Sequence, residues 1–284
     1  MITGYSGFVG SHLVDFIRTE FEEKFSIYCL GRKEPSFPHS GWFKADLNRP
    51  EDVSFSGDFD RVFHFASALP GGSKPDFLNV NVKATKRILE LLNGDTKSFL
   101  YASTGGVYQK MNQPISENDP LIGANSVDEY AKSKLEAERI IRAHSSGRFA
   151  VHICRLFFPY GLGQSKNRLI PGLAHKINTN EKIVLKGRGQ MLLNPIFIQD
   201  LASALYKTLG IDNSFTLNFA GPEIVSLNEI VQTISGTLGK KALAEYAEEN
   251  GGNLVGDISR MQRILGFSPV VGINEGIRRT FGNG

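Results

Sequence analysis

Six short apolar runs in the first 160 residues alternate with stretches of helical period, and no other feature limits the fold as tightly. Met1 to Thr3 reads as the tail of a strand. Val9, Leu13, Phe16 and Ile17 then fall at i, i+4, i+7 and i+8, one face of a helix. SIYCL (26–30), WFKADL (42–47), DRVFHFA (60–66), KSFLYAS (97–103) and RFAVHICRLF (148–157) read as further strands. Helices are expected over about 77–92 and 128–143. Strand and helix in steady alternation require right-handed crossovers and a parallel sheet covered on both faces. The strands are apolar almost throughout, as such a sheet demands. The fold class is therefore α/β, a doubly wound parallel sheet.

Beyond residue 160 the texture changes. Gly, Pro, Asn and Lys become common and the alternation loosens. The expected organisation is a main domain over 1–164, with 193–220 returning to it as a strand and helix. Residues 165–192 and 221–284 form a smaller mixed part. The first strand supplies three residues where a central strand has about five. Either the sheet accepts a stub or the natural chain begins earlier.

Composition excludes several classes. The 41% apolar content supports a sizeable core, and the net charge of +3 is scattered rather than gathered into a basic tract, so nucleic acid is not an expected partner. No apolar stretch approaches the ~20 residues of a bilayer span, and no signal peptide precedes the first glycine, so a cytoplasmic setting is expected. Cys29 and Cys154, each within a strand run, read as buried reduced thiols rather than a disulfide or a metal pair. No metal site is expected.

The opening MITGYSGFVG places Gly4, Gly7 and Gly10 between a strand end and a helix start. Glycines there let backbone approach a ligand, and the following helix offers free N–H groups and a partial positive charge. Together they form a seat for a pyrophosphate, with Phe8 and Val9 in the first helical turn. The spacing is G-x-x-G-x-x-G, not the familiar G-x-G-x-x-G. At the end of the second strand, where a carboxylate would hold the ribose of NAD, the sequence reads Leu30-Gly31-Arg32-Lys33. An arginine there can pair with an additional phosphate. Both NAD and NADP stay open, with Arg32 favouring NADP. Asp46 and Leu47 are expected near the adenine edge.

Tyr130 and Lys134 form Y-x-x-x-K on a predicted helix, and a spacing of four puts both on one face. A free phenol ionises near pH 10. A neighbouring ammonium favours the phenolate and makes the pair a workable proton donor and acceptor for alcohol–ketone chemistry. YASTGGVY (101–108) supplies the hydroxyls of Ser103 and Thr104 at a strand's C-terminal end, where ligands bind in open α/β sheets.

TGYSGFVGSHL, VFHFASA, NVKAT, YASTGGVY, YAKSKLEAE, CRLFFPYG, NPIFIQDLA and LGFSP, in that order and spacing, resemble the extended short-chain dehydrogenase/reductase family, the group of sugar-nucleotide epimerases and dehydratases. The resemblance implies a Rossmann-type sheet, a bound NAD(P) and a Thr104–Tyr130–Lys134 triad. It places Asn81, Phe65, Ala66, Ser67, Ser103 and Phe157 on the cofactor side, together with Tyr130 and Lys134, the lysine on the nicotinamide ribose. Ser67, Thr104 and Phe158 are implied on the substrate side, and Arg188 is a further candidate there from a nearby loop. It also implies a homodimer built on the helices at 77–92 and 128–143. Three positions depart from the family pattern. Dehydratases carry Asp-Glu after the triad threonine, and this chain has Gly105-Gly106. A diphosphate-contacting asparagine is replaced by Phe158. A diphosphate-binding arginine falls at Leu193, which Arg188, Lys166 or Arg168 could replace. The expected activity is thus that of an NAD(P)-dependent oxidoreductase or epimerase at a secondary alcohol or ketone of a sugar or nucleotide sugar. The alternatives are an NADPH-dependent reductase of a non-sugar carbonyl compound and a non-catalytic dinucleotide-binding protein.

Overall fold

β1 (Ile2–Thr3) pairs in parallel with β2 (Tyr28–Gly31) on one side and with β4 (Arg61–His64) on the other. β3 (Gly41–Lys44) continues beyond β2, and β5 (Ser98–Thr104) beyond β4, both in parallel. β6 (Ala150–Leu156) and β9 (Phe215–Phe219) complete the order β3-β2-β1-β4-β5-β6-β9. The computed structural model describes residues 1–21, 24–248 and 252–282. The strand order reverses between β1 and β4, the topological switch point at which such sheets bind ligands.

The chain divides into two compact units. One comprises Met1–Val107, Pro120–Arg155 and Leu205–Leu217, the other Tyr108–Asp119, Leu156–Ala204 and Asn218–Gly284. Tyr108–Asp119 groups with the second unit because Ile115 donates its N–H to the Val255 carbonyl and accepts from Asp257 N–H. The Tyr108 hydroxyl also donates to Asn218 Oδ1, at 2.8 Å.

In the first unit, α1 (Phe8–Phe21) buries Leu13, Val14 and Ile17, the face its spacing predicts. The helix expected over 77–92 begins earlier and is not uniform. Ser73 and Asp76 form a capping box at α2 (Lys74–Asp76). Phe77–Lys83 then runs as π-helical turns, in which Ala84 N–H reaches the Asn79 carbonyl. α3 (Ala84–Leu91) finishes the segment. α4 (Glu129–Ser145) is capped by Asp128, which accepts from Ala131 N–H at 2.9 Å. Ala84, Ile88 and Leu89 of α3 and Ala137 and Ile141 of α4 share a core with Leu30, Val62 and Phe99 of the sheet. The alternate strand residues Cys29, Phe63 and Leu100 are buried too, so both faces of the sheet are covered.

The second unit has its own core. α5 (Leu169–Asn178), α7 (Leu227–Leu238) and α9 (Ile273–Phe281) contribute Leu173, Ile177, Ile230, Ile234 and Ile277. Ile183 and Leu185 of β7 (Lys182–Lys186) pack with them, and β7 pairs in parallel with β11 (Leu243–Ala247). β8 (Leu192–Leu193) and β10 (Val225–Ser226) form a two-residue antiparallel pair. α6 (Ile198–Lys207) and α8 (Ser259–Leu265) complete the element list.

Candidate active site

Glycine is required at two points of the opening turn. Gly4 has φ of +69°, and a Cβ on it would lie 2.5 Å from the Ala66 nitrogen. A Cβ on Gly10 would lie 2.3 Å from the Gly4 carbonyl oxygen. The turn thus presses on the loop after β4 and on its own helix with backbone alone. Gly7 donates its N–H to the Gly4 carbonyl at 2.9 Å and lies exposed at the tip. No acidic residue occupies the first turn of α1, where Phe8 and Val9 are half-buried. A cradle without side chains, facing an unneutralised helix start, fits a dinucleotide pyrophosphate.

Behind this turn a buried polar relay joins three elements. Ala66 N–H donates to Thr3 Oγ1 at 3.2 Å, and Thr3 Oγ1 lies 2.6 Å from His64 Nδ1. His64 Nε2 lies 2.9 Å from Thr85 Oγ1, whose proton goes to the Asn81 carbonyl at 2.7 Å. Thr85 has spent its proton, so His64 Nε2 must be the donor and Nδ1 the acceptor from Thr3. Burial, with Lys134 adding to it, pulls His64 down to about 3, which keeps the ring neutral.

Asn81 is 1% exposed and brackets the loop over the sheet. Its Oδ1 accepts from Ala68 N–H at 2.8 Å and stands 3.0 Å from Ser67 Oγ. Its Nδ2 donates to the Ala68 carbonyl at 3.1 Å and to Ser133 Oγ at 2.9 Å. Phe65, Ala66 and Ser67 are half-buried on that loop. One side chain therefore ties the π-helical turns, the loop after β4 and α4 together.

Lys134 is 2% exposed. Its Nζ donates to the Ala102 carbonyl at 2.8 Å and stands 4.5 Å from the Tyr101 ring centre and 5.9 Å from that of Tyr130. Burial pulls Lys134 down to about 7, against the pull of Glu138 in the other direction. Tyr130 is half-buried and meets Phe77 edge-on at 5.9 Å. Thr104 ends β5 half-buried, and its Oγ1 accepts from Gly106 N–H at 3.1 Å, which leaves the hydroxyl proton to donate. Ser103 is differently engaged. Its hydroxyl donates to Glu138 Oε1 at 2.5 Å, and Arg155 grips the same carboxylate through Nε at 3.1 Å and Nη2 at 2.7 Å. Both partners of that ion pair are 5% exposed.

At the other end of the turn, Arg32 is exposed and Asp46 is half-buried, accepting from Asn48 N–H at 3.1 Å. Leu47 packs into the core of the first unit. In the second unit, Phe157 is 1% exposed, and Gly256 lies so close that a Cβ there would be 3.0 Å from its ring. Phe158 is half-buried against the second core and takes φ of +45°. Leu193 is fully buried in that core. Arg188, also at positive φ, is exposed, with Glu248 3.8 Å away. Lys166 is exposed and Arg168 half-buried.

Sequence reasoning missed Tyr5, His64, Ser133, Glu138 and Arg155. Glu138 had a signal, since it follows Lys134 by four residues on the same helical face. His64 had a weaker one, a polar ring inside an apolar strand run. Among the described residues, no cluster of three or more metal-ligating side chains occurs, and no helix is long and apolar enough to cross a membrane.

The profile of the NAD dependent epimerase/dehydratase family matches residues 1–215. The chain is 26% identical over 308 residues to an uncharacterized UDP-glucose epimerase of Bacillus subtilis (strain 168), covering 98% of this chain and 95% of that one. It is 27% identical over 307 residues to a dTDP-4-dehydro-6-deoxyglucose reductase of Escherichia coli, covering 98% and 94%. Among solved structures it resembles MoeE5 in complex with UDP-glucose and NAD, with a TM-score of 0.84, 27% identity and coverage of 99% and 96%.

Proposed function

The chain belongs to the NAD dependent epimerase/dehydratase family, and from that premise we propose that it interconverts a secondary alcohol and its ketone on a sugar, with Thr104, Tyr130 and Lys134 as the reacting triad. The observation that carries this reading is the wholly buried Lys134, held at the Ala102 carbonyl and 5.9 Å from the Tyr130 ring. When bound, the nicotinamide supplies the hydride acceptor and donor. Gly4, Gly7, Gly10 and the start of α1 would hold its pyrophosphate. Tyr130 carries the hydroxyl proton to and from the substrate oxygen. The Lys134 ammonium favours the phenolate of Tyr130. Thr104, whose lone pair is taken by Gly106 N–H, directs its proton at the same oxygen and holds it in line.

Relatives named for UDP-glucose and dTDP-sugar chemistry support a nucleotide sugar as substrate. Dehydration is disfavoured, because Gly105 and Gly106 offer no carboxylate beside Thr104. A second reading, reduction of a non-sugar carbonyl by NADPH, draws on Phe158 and the buried Leu193, which supply no phosphate contact, and on Gly31-Arg32, which favours a 2′-phosphate over a bare ribose. A homodimer through the helices at 74–91 and 129–145 belongs to the proposal.

Tyr130→Phe tests the triad. It should lower kcat by about 10²–10⁴-fold and leave dinucleotide affinity unchanged. Unchanged turnover would remove Tyr130 from the mechanism. Cofactor released from purified protein separates the two readings. Retained NAD indicates epimerisation, and exchangeable NADP indicates reduction.

A further inference from the structure

Tyr5 puts a large aromatic ring into the middle of the glycine turn, and it is 4% exposed. Its hydroxyl donates to the Lys33 carbonyl. Its ring stands over the end of β2, where a Cβ on Gly31 would lie 3.0 Å from Tyr5 Cε1 and 3.2 Å from its hydroxyl oxygen. The Gly31 carbonyl is held too, accepting from Trp42 Nε1 at 3.1 Å and from Ala45 N–H at 3.0 Å. Both carbonyls flanking Arg32 are thus fixed, while the Arg32 side chain is exposed and no ion pair holds it among the described residues. The nearest acid in sequence, Glu34, lies 3.8 Å from His39.

We infer that Tyr5 is a specificity-determining positioning residue: its ring closes the place where a ribose-binding carboxylate would stand, and its hydroxyl fixes the turn that aims Arg32 at a 2′-phosphate. The inference deepens the dinucleotide reading above and rests on it. The chemistry has two parts. A side chain at Gly31 long enough to accept from ribose hydroxyls would press on the Tyr5 ring, so no carboxylate can stand there to favour a bare ribose. An arginine fork gains most when its backbone is already set, so selection for phosphate depends on a rigid turn. Tyr5 serves both, and it belongs to the same turn that seats the pyrophosphate. The two ends of the adenosine moiety are thereby set by one residue. Burial pushes the Tyr5 phenol up, so it remains a donor at neutral pH.

The test is calorimetric titration of the full chain with NADP+, NAD+, 2′,5′-ADP and 5′-AMP. Wild-type protein should prefer the 2′-phosphorylated member of each pair, and Arg32→Ala should abolish that preference. Tyr5→Phe keeps the ring and loses the bond to Lys33. It should reduce the preference about tenfold while the affinity for NAD+ and 5′-AMP stays within about twofold. Trp42→Phe, which removes one of the two donors to the Gly31 carbonyl, should act in the same direction and serves if Tyr5→Phe does not fold. A preference kept in both turn variants but lost in Arg32→Ala overturns the role of Tyr5 and leaves the coenzyme reading standing. Equal weakening of both members of each pair also overturns it, since damage to the pyrophosphate turn would act that way. No 2′-phosphate preference in wild type, with Arg32→Ala silent, overturns the NADP reading and this inference with it.

Discussion

In the first unit, buried polar side chains bridge separate elements: His64 joins β1 to the segment carrying Thr85, Asn81 joins the loop after β4 to α4, and Glu138 joins β5 to β6. In the second unit the buried side chains reach as far along the chain but mostly hold backbone groups. Asp200 accepts from Val270 and Val271 N–H at 2.9 and 2.8 Å, and Asn194 both donates to and accepts from Gly256. Of the second-unit positions expected near a substrate or its diphosphate, Phe158 and Leu193 are apolar and Arg188 is exposed. The contrast teaches that the first unit locks side chains to one another, whereas the second locks side chains to backbone.

The contrast can be broken most severely at Arg155. Arg155→Met leaves the Glu138 carboxylate buried without its cation and should cost about 3–5 kcal/mol in denaturant unfolding. Because Ser103 shares that carboxylate, turnover should fall as well. Asp200→Asn should cost about 1.5–3 kcal/mol, the worth of hydrogen bonds to a charged group, and leave dinucleotide affinity unchanged. A loss of affinity there would erase the distinction between the units.

His64 sharpens the comparison through pH. Its native value, about 3, lies below the 6.5 of an unperturbed imidazole. The unfolded chain therefore binds the proton first. The contribution of His64 is complete above pH 6.5 and is lost as pH falls towards 3, by about 1.4 kcal/mol per pH unit. Urea titrations between pH 4 and 7 should show this slope in wild type and not in His64→Gln. The smallest effect is expected at Phe158. Its positive φ stores strain of about 1–3 kcal/mol, which Phe158→Gly relieves while giving up the ring's half-buried contacts. Net stability should change by less than about 1 kcal/mol, and affinity for uridine diphosphate is the companion measurement.

Much of the first unit could be read from residue order. The apolar runs and the helical periods define β1 to β6, and the Y-x-x-x-K spacing and the three glycines mark two ends of one candidate site. The second unit was less readable because β8 and β10 are two residues each, too short for any period to register. The side chains that support the site were hidden for another reason. Tyr5 acts on Lys33, His64 on Thr3 and Asn81 on Ser133, and such long-range partners leave no local pattern. Ser103 and Thr104 look alike in sequence. Only the strand's alternation separates them, sending one to Glu138 and leaving the other at the strand's end.

The π-helical turns at Phe77–Lys83 work as a phase adjustment. An α-helix advances about 100° per residue, so one extra residue in the winding rotates all that follows by that angle. With it, Asn81 faces the loop at Ala68 while Ala84 and Ile88 still face the core. Deleting a single residue from this stretch would give a more regular helix and a worse protein, since only one of those two faces could then be kept.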